Sequence, residues 1–268
     1  MSLPGTADAL LDEADNLLAE SSRRGLVLRL AGSAGVLRHC AVCFQAARAL
    51  GREPPQDLDF FAYGKQQREI GRMFAGLGYQ ADPSVAHSQE YGIDRLIYRG
   101  HVSAAKIDVF LDALRMSHTI EFKGRLGDDG PSAQAADLLL AKLQIHEITE
   151  KDIKDAAALL ASHDLGDGSA GSIESRRVTG LAGRDWGLYH TALANLATIE
   201  TVLAGSDSAG EIATAAVARV QDLRERIEQA PKSVRWKARA KVGTRIRWYE
   251  EVGDAEQQGQ GDAGLRER

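Results

Sequence analysis

Asp57-Leu58-Asp59 sets two carboxylates two residues apart in the aromatic-rich stretch DLDFFAY, residues 57–63. On a strand, side chains at i and i+2 leave from one face, so both acids converge while Leu58 and Phe60 point into the core behind them. Two like charges side by side repel, and a hard cation such as Mg²⁺ between them relieves the repulsion. Solvent-facing acids on an edge strand explain the same pattern at least as often. Asp108, in KIDVFLD, lies between Ile107 and Val109 and therefore faces away from the apolar set. If the two strands are neighbours, Asp57, Asp59 and Asp108 form a three-carboxylate cluster able to bind metal and to accept a proton from an attacking hydroxyl. Asp112, further along the same face, stays open as a competitor.

Gly32-Ser33 is a tight turn between an apolar run and a helical stretch, where free backbone N–H groups suit a phosphate. It is neither a P-loop nor a Gly-x-Gly-x-x-Gly fingerprint, and it also reads as an ordinary helix start. Lys142 lies on or beside an apolar helical stripe, where a snorkelling lysine is the commoner reading and a phosphate-directed one the alternative. Asp152 and Asp155 are weighed equally as site residues and as acids favoured at a helix N-terminus. His39-Cys40-x-x-Cys43 has no second Cys/His pair at zinc spacing, so buried helix cysteines are the better reading and a metal site the lesser alternative. The segment 232–249 (KSVRWKARAKVGTRIRWY) carries seven Lys or Arg with Trp236, Trp248 and Tyr249 among them. Such interleaving suits single-stranded nucleic acid, and it also suits aromatics packed on a helical bundle. In DWGLYH, Asp185 reads as a helix N-cap and Trp186 as core.

Particular elements must position these groups. An amphipathic helix is expected over 6–23, a strand at LVLRLA (26–31), and one helix through AGVLRHCAVCFQAARAL, closed by Gly51. A strand at 57–63 precedes a helix over KQQREIGRMFAGLG, and extended runs follow at 83–88, 94–100, around AKIDVFLDAL and at 118–126. Their short spacing predicts a mixed or antiparallel sheet. Ser132 is expected to cap a helix through LLLAKLQIHEI, and Thr149, with Asp152 three residues on, to start another. The Gly/Ser/Asp-rich stretch 164–172 reads as a linker. Beyond it, two Ala/Leu-rich helices make the chain all-helical to a polar tail over 251–268, expected to be disordered.

With 33 basic and 38 acidic residues among 268, the net charge of −5 offers no global attraction to nucleic acid or anionic membranes, so any such attraction must be local. Two cysteines cannot staple a chain this long, and the start MSLPGTADALLDEAD has no secretory character. A cytoplasmic setting is the expectation, with no membrane span.

The order strand, Gly-Ser turn, helix, strand with D-x-D, later strand with a third Asp resembles the nucleotidyltransferase superfamily related to DNA polymerase beta. LRLAGSAG (28–35), QDLDFF (56–61), KIDVF (106–110) and LLLAKLQIHEITEKDIKDAAALL (138–160) resemble its AbiEii-like bacterial branch over about residues 25–162. The resemblance implies that Gly32 and Ser33 hold a triphosphate, Asp57 and Asp59 bind Mg²⁺, Asp108 completes the metal site and activates the acceptor, and Lys142, Asp152 and Asp155 complete the nucleotide site. The chain departs from that branch in having Ser33 where a second glycine is common, Pro55-Gln56 where Arg-Thr is common, and no arginine between Lys142 and the Asp pair. The resulting expectation is an α/β fold with a mixed sheet flanked by helices over 1–163 and a helical domain with a basic segment over 173–250. Its activity would be Mg²⁺-dependent transfer of a nucleoside monophosphate to RNA, protein or a small molecule, with RNA bound through 232–249. The alternative is a catalytically inactive nucleotide- or RNA-binding module of a toxin–antitoxin-like system.

Overall fold

The computed structural model describes residues 6–82, 95–100, 105–127, 130–169, 171–204 and 210–251. The expected strand at 83–88, and the tail apart from Glu251, lie outside the described residues. Among the described residues the architecture is mixed α/β, with a five-stranded sheet flanked by helices. Strands β1 (Leu28–Ala31), β2 (Asp57–Ala62), β3 (Gln80–Ala81), β4 (Arg95–Arg99) and β5 (Lys106–Leu111) assemble in the order β1-β2-β5-β4-β3. Among these five strands β2 and β5 run parallel, and the β1–β2, β5–β4 and β4–β3 pairs are antiparallel.

Period-two alternation divides the sheet into two faces. Leu28 and Leu30, Leu58 and Phe60, Ile107 and Val109 are all fully buried in one core with Leu10, Leu11 and Leu17 of α1 (Thr6–Arg23). The opposite face carries Asp57, Asp59 and Phe61 on β2 with Lys106, Asp108 and Phe110 on β5. Helices α2 (Gly32–His39), α3 (Ala41–Ala49), α5 (Ala135–Leu143) and α6 (Glu150–Ser162) cover its apolar end, while α4 (Gln67–Gly76) packs with α1.

The single helix expected after Gly32-Ser33 is two helices. Cys40 is extended (φ −158°, ψ 158°), and its thiol accepts the N–H of Cys43, so one residue ends α2 and caps α3. Ser132 does not cap α5. It bridges Leu30, flanked by Leu30 N–H to Pro131 O and Ala133 N–H to Leu30 O, so 131–133 extend the sheet beside β1 and α5 starts after Gln134. Thr149 does cap α6, accepting the Asp152 N–H. Within 118–126 only β7 (Thr119–Glu121) is strand, a hairpin with β6 (Ala113–Arg115).

Residues 164–172 include β8 (Leu165–Gly166), which pairs in parallel with β9 (Ile173–Glu174). Helices α7 (Ser175–Arg184), α8 (Trp186–Ala204), α9 (Gly210–Gln229) and α10 (Val234–Ala240) follow. One apolar cluster runs from Phe61 and Phe110 through Leu139 and Leu159 to Leu196 and Val220. Polar contacts likewise join residues before 164 to residues after 173: half-buried Arg177 pairs with buried Asp137, and Asn195 donates to the carbonyls of Leu143 and Ile145. Among the described residues, no helix is long and apolar enough to cross a membrane.

Candidate active site

Two side-chain networks meet on the polar end of the second sheet face. The first is carboxylate. In the parallel pair, Asp59 stands directly beside Asp108 and Asp57 beside Lys106, so the three acids share a face as alternation requires. Asp57 is exposed, Asp59 half-buried and Asp108 buried. Burial, and then the charges of Asp57 and Asp108, push the Asp59 carboxyl up to about 7, against the opposing pull of Lys142 and Arg95.

Asp108 has cationic partners from two strands. Arg95 on β4 grips it with both prongs, Nε to Oδ1 at 3.0 Å and Nη2 to Oδ2 at 2.7 Å, and Lys106 lies 3.5 Å from Oδ2. Arg95 also lies over the Phe110 ring, 5.1 Å from its centroid. Nothing in the spacing of the chain singles out Arg95. Its role follows from β4 pairing antiparallel to β5, which brings it alongside Phe110. Asp112 does not join the cluster. It follows β5 with φ 59°, and its N–H returns to the Ala62 carbonyl, at the far end of the strand pair.

Gly32 opens α2 against these acids. Its φ is +54°, and a Cβ there would lie 2.0 Å from Oδ2 of Asp59. Backbone and carboxylate therefore approach more closely than any side chain allows.

The second network is a buried ion cluster behind the turn. Asp155, with no exposed side-chain surface, accepts the Ser33 hydroxyl (2.6 Å) and Lys142 Nζ (2.9 Å) on Oδ2, and Arg52 Nε (2.9 Å) on Oδ1. Arg52 also donates to the Ser33 hydroxyl, and Lys142 reaches Asp152 at 2.9 Å. Two cations thus balance two carboxylates. Burial opposes the charge on Lys142, but Asp155 and Asp152 outweigh it and raise its pKa. Burial likewise opposes the charge on Asp152, and Lys142 and Thr149 prevail to lower its pKa. Lys142 is no snorkelling residue: its head is buried and doubly paired.

Ser33, Lys142, Asp152 and Asp155 are thus brought together, while Arg52 was not visible as a member. It lies in the turn after Gly51, where Arg52 N–H returns to the Ala47 carbonyl and the side chain turns inward. The two networks adjoin, because the charge of Lys142 acts on Asp59 as well. Chemically, the face offers oxygen donors suited to a hard cation beside a helix N-terminus suited to an anion.

The aromatics of the basic segment are engaged elsewhere. Trp248 donates to Thr191 Oγ1 and meets Trp186 and His190 edge-on, Tyr249 stacks on His146 at 3.5 Å between centroids, and Trp236 meets Tyr189. Arg239 covers the Trp186 ring, whereas Arg235, Lys237, Lys241 and Arg245 are exposed. Asp185 does cap α8, accepting the Leu188 N–H, and Trp186 is half-buried.

No family model matches the chain, and no curated protein matches it. Among solved structures it is similar to the solution structure of the antibiotic-resistance factor ANT(2'')-Ia, at 12% identity and a TM-score of 0.37, covering 74% of this chain and 94% of that one. At that identity nothing transfers between individual residues.

Proposed function

We propose that the chain is a Mg²⁺-dependent nucleotidyltransferase, moving a nucleoside monophosphate from a nucleoside triphosphate to an acceptor hydroxyl. The observation that carries this reading is the placement of Asp59 beside Asp108 with the Gly32 turn pressed against the same carboxylate. The donor set fits the ion: three carboxylates share one face, and the burial and neighbouring negative charges that raise the Asp59 pKa are what a bound hard cation offsets.

In this reading Asp57 and Asp59 would hold Mg²⁺, which would supply charge neutralisation for the transferring phosphoryl group and the pyrophosphate. The turn at Gly32–Ser33 presents the free N–H groups that begin α2 to the triphosphate, and Lys142 keeps positive charge close by. Asp108 takes the acceptor proton as the new oxygen–phosphorus bond forms and the bond to pyrophosphate breaks. Arg95 must then release one oxygen of Asp108. Ser33 and Asp155 hold the turn rather than the phosphates, since both are committed to the buried ion cluster.

One observation favours a second reading, a nucleotide- or RNA-binding module without transfer: the two-pronged Arg95 grip occupies both oxygens of the candidate base. Incubation with α-labelled ATP, CTP, GTP and UTP, Mg²⁺, and separately total RNA, a protein extract or hydroxylated small molecules decides between them. Label transfer that disappears in Asp57→Ala and Asp59→Ala supports the enzyme. Mg²⁺-dependent nucleotide binding without transfer in any arm supports the module. Neither binding nor transfer overturns both.

A further inference from the structure

Outside this site, a second cluster assembles from parts distant in sequence. Cys40 stands at the break between α2 and α3, Cys43 lies one turn into α3 with no exposed surface, and His163 follows the last residue of α6. His163 Nε2 is 3.3 Å from Cys43 Sγ and 3.8 Å from Cys40 Sγ, and the three potential ligand atoms lie within 4.8 Å of one another. The two sulfurs approach to 2.7 Å.

We propose that Cys40, Cys43 and His163 bind a thiophilic divalent ion, Zn²⁺, at a site distinct from the carboxylate face. Three observations support it. First, His163 Nδ1 is hydrogen-bonded to the Gly171 carbonyl. A carbonyl only accepts, so the proton sits on Nδ1 and the Nε2 lone pair faces the thiols, the arrangement usual for a metal-ligating imidazole. Second, a tetrahedral Zn²⁺ with ordinary bond lengths places N and S ligands about 3.6 Å apart and two S ligands about 3.8 Å apart. The two sulfur–nitrogen distances bracket the first value; the sulfurs, 2.7 Å apart, would have to part by about 1.1 Å, through rotation of the half-buried Cys40 side chain away from the Cys43 N–H. Third, two thiolates and an imidazole are a borderline-soft set that prefers Zn²⁺ to Mg²⁺, so the two sites do not compete.

Binding releases the two thiol protons to solvent and leaves the fourth position to water, reached from the Cys40 side. The sequence alone makes zinc the lesser reading, because no second Cys/His pair follows at finger spacing. His163 lies 120 residues after Cys43, and only the packing of α3 on α6 supplies it. The ion would tie the α2–α3 break to the end of α6, the elements that carry Ser33 and Asp155.

The test uses the full chain, reduced and stripped with a chelator, then titrated with Co²⁺ and with Zn²⁺. The expected result is uptake of one equivalent, a thiolate-to-cobalt charge-transfer band, tetrahedral d–d bands, two protons released and a rise in Tm with Zn²⁺. Cys40→Ser keeps a good N-cap for α3, so it folds, and it should weaken Zn²⁺ by more than the roughly 10- to 100-fold typical of outer-shell changes. His163→Gln should remove the tetrahedral bands. No stoichiometric uptake by the reduced chain, a Cys40–Cys43 disulfide that forms in preference to Zn²⁺ binding, or unchanged affinity in both variants would each overturn the proposal.

Discussion

Gly32 and the carboxylate of Asp59 are in such close contact that a methyl group on the glycine would lie 2.0 Å from Oδ2. With φ at +54°, Gly32→Ala carries backbone strain as well as this clash, and should lower stability by about 1–3 kcal/mol. The two causes separate in a double-mutant cycle. Adding Asp59→Ala should recover the part due to the clash and leave the part due to φ. Thermal unfolding of the four proteins reads this directly, and strictly additive effects would show that the two residues do not meet.

Asp59 should make the ion-free protein less stable as pH rises. Its folded pKa of about 7 lies above the 3.8 of an ordinary Asp, so the folded chain binds the proton more tightly. The favourable contribution is complete below about pH 4 and is lost progressively up to about pH 7. In chelator at pH 8, Asp59→Asn should therefore raise stability by on the order of 1–3 kcal/mol and flatten the dependence across that window. Mg²⁺ should stabilise the parent and not the variant. Denaturant midpoints at pH 5 and pH 8, with and without Mg²⁺, are the measurement.

Removing the charge of Asp155 should do the reverse. Arg52 and Lys142 converge on a carboxylate with no exposed surface, so Asp155→Ala leaves two buried cations short of a partner. The expected cost is about 3–5 kcal/mol, seen as a lower unfolding midpoint in urea. Arg52→Ala should cost less, because Lys142 and Ser33 still satisfy Asp155. Equal losses in the two variants would contradict this ordering.

Arg95→Ala should strengthen ion binding at some cost to the fold, since buried Asp108 keeps only Lys106. It removes the two-pronged partner of Asp108 and leaves Lys106, adding one net negative charge to the carboxylate face. Mg²⁺ affinity should rise several-fold, measured by calorimetry at fixed ionic strength. A fall in affinity would mean that Arg95 orients Asp108 for the ion instead of competing with it.

Trp248→Ala tests what the aromatics of the basic segment do. Trp248 donates to Thr191 and contacts Trp186, His190 and Tyr249, so truncation should destabilise the chain by about 1–3 kcal/mol. Replacing the exposed Arg235, Lys237, Lys241 and Arg245 by Gln should leave stability nearly unchanged. The same replacement should flatten the salt dependence of any RNA binding, since fewer counterions are released.

Local chemistry was sufficient for the strand alternation that sets Asp57 and Asp59 on one side and Leu58 and Phe60 on the other, because period two is a property of the backbone alone. The Thr149 cap of α6 and the Asp185 cap of α8 were legible for the same reason, each satisfying an N–H three residues away. Cys40 shows where local reading stopped: hydropathy runs on through 34–50, but a thiol accepting the Cys43 N–H makes the residue a cap and splits the helix. Ser132 reads locally as a cap too, but the open edge of β1 claims the Pro131 carbonyl and the Ala133 N–H on either side of it. Partner identity was the larger gap. Arg52 meets Asp155 across 103 positions, Ser33 meets it across 122, and His163 meets Cys43 across 120. Spacing carries no information over such separations, because which helix packs on which is chosen by burial of whole apolar faces. The charged and thiol groups are then paired, or left to hold an ion, by where those faces bring them.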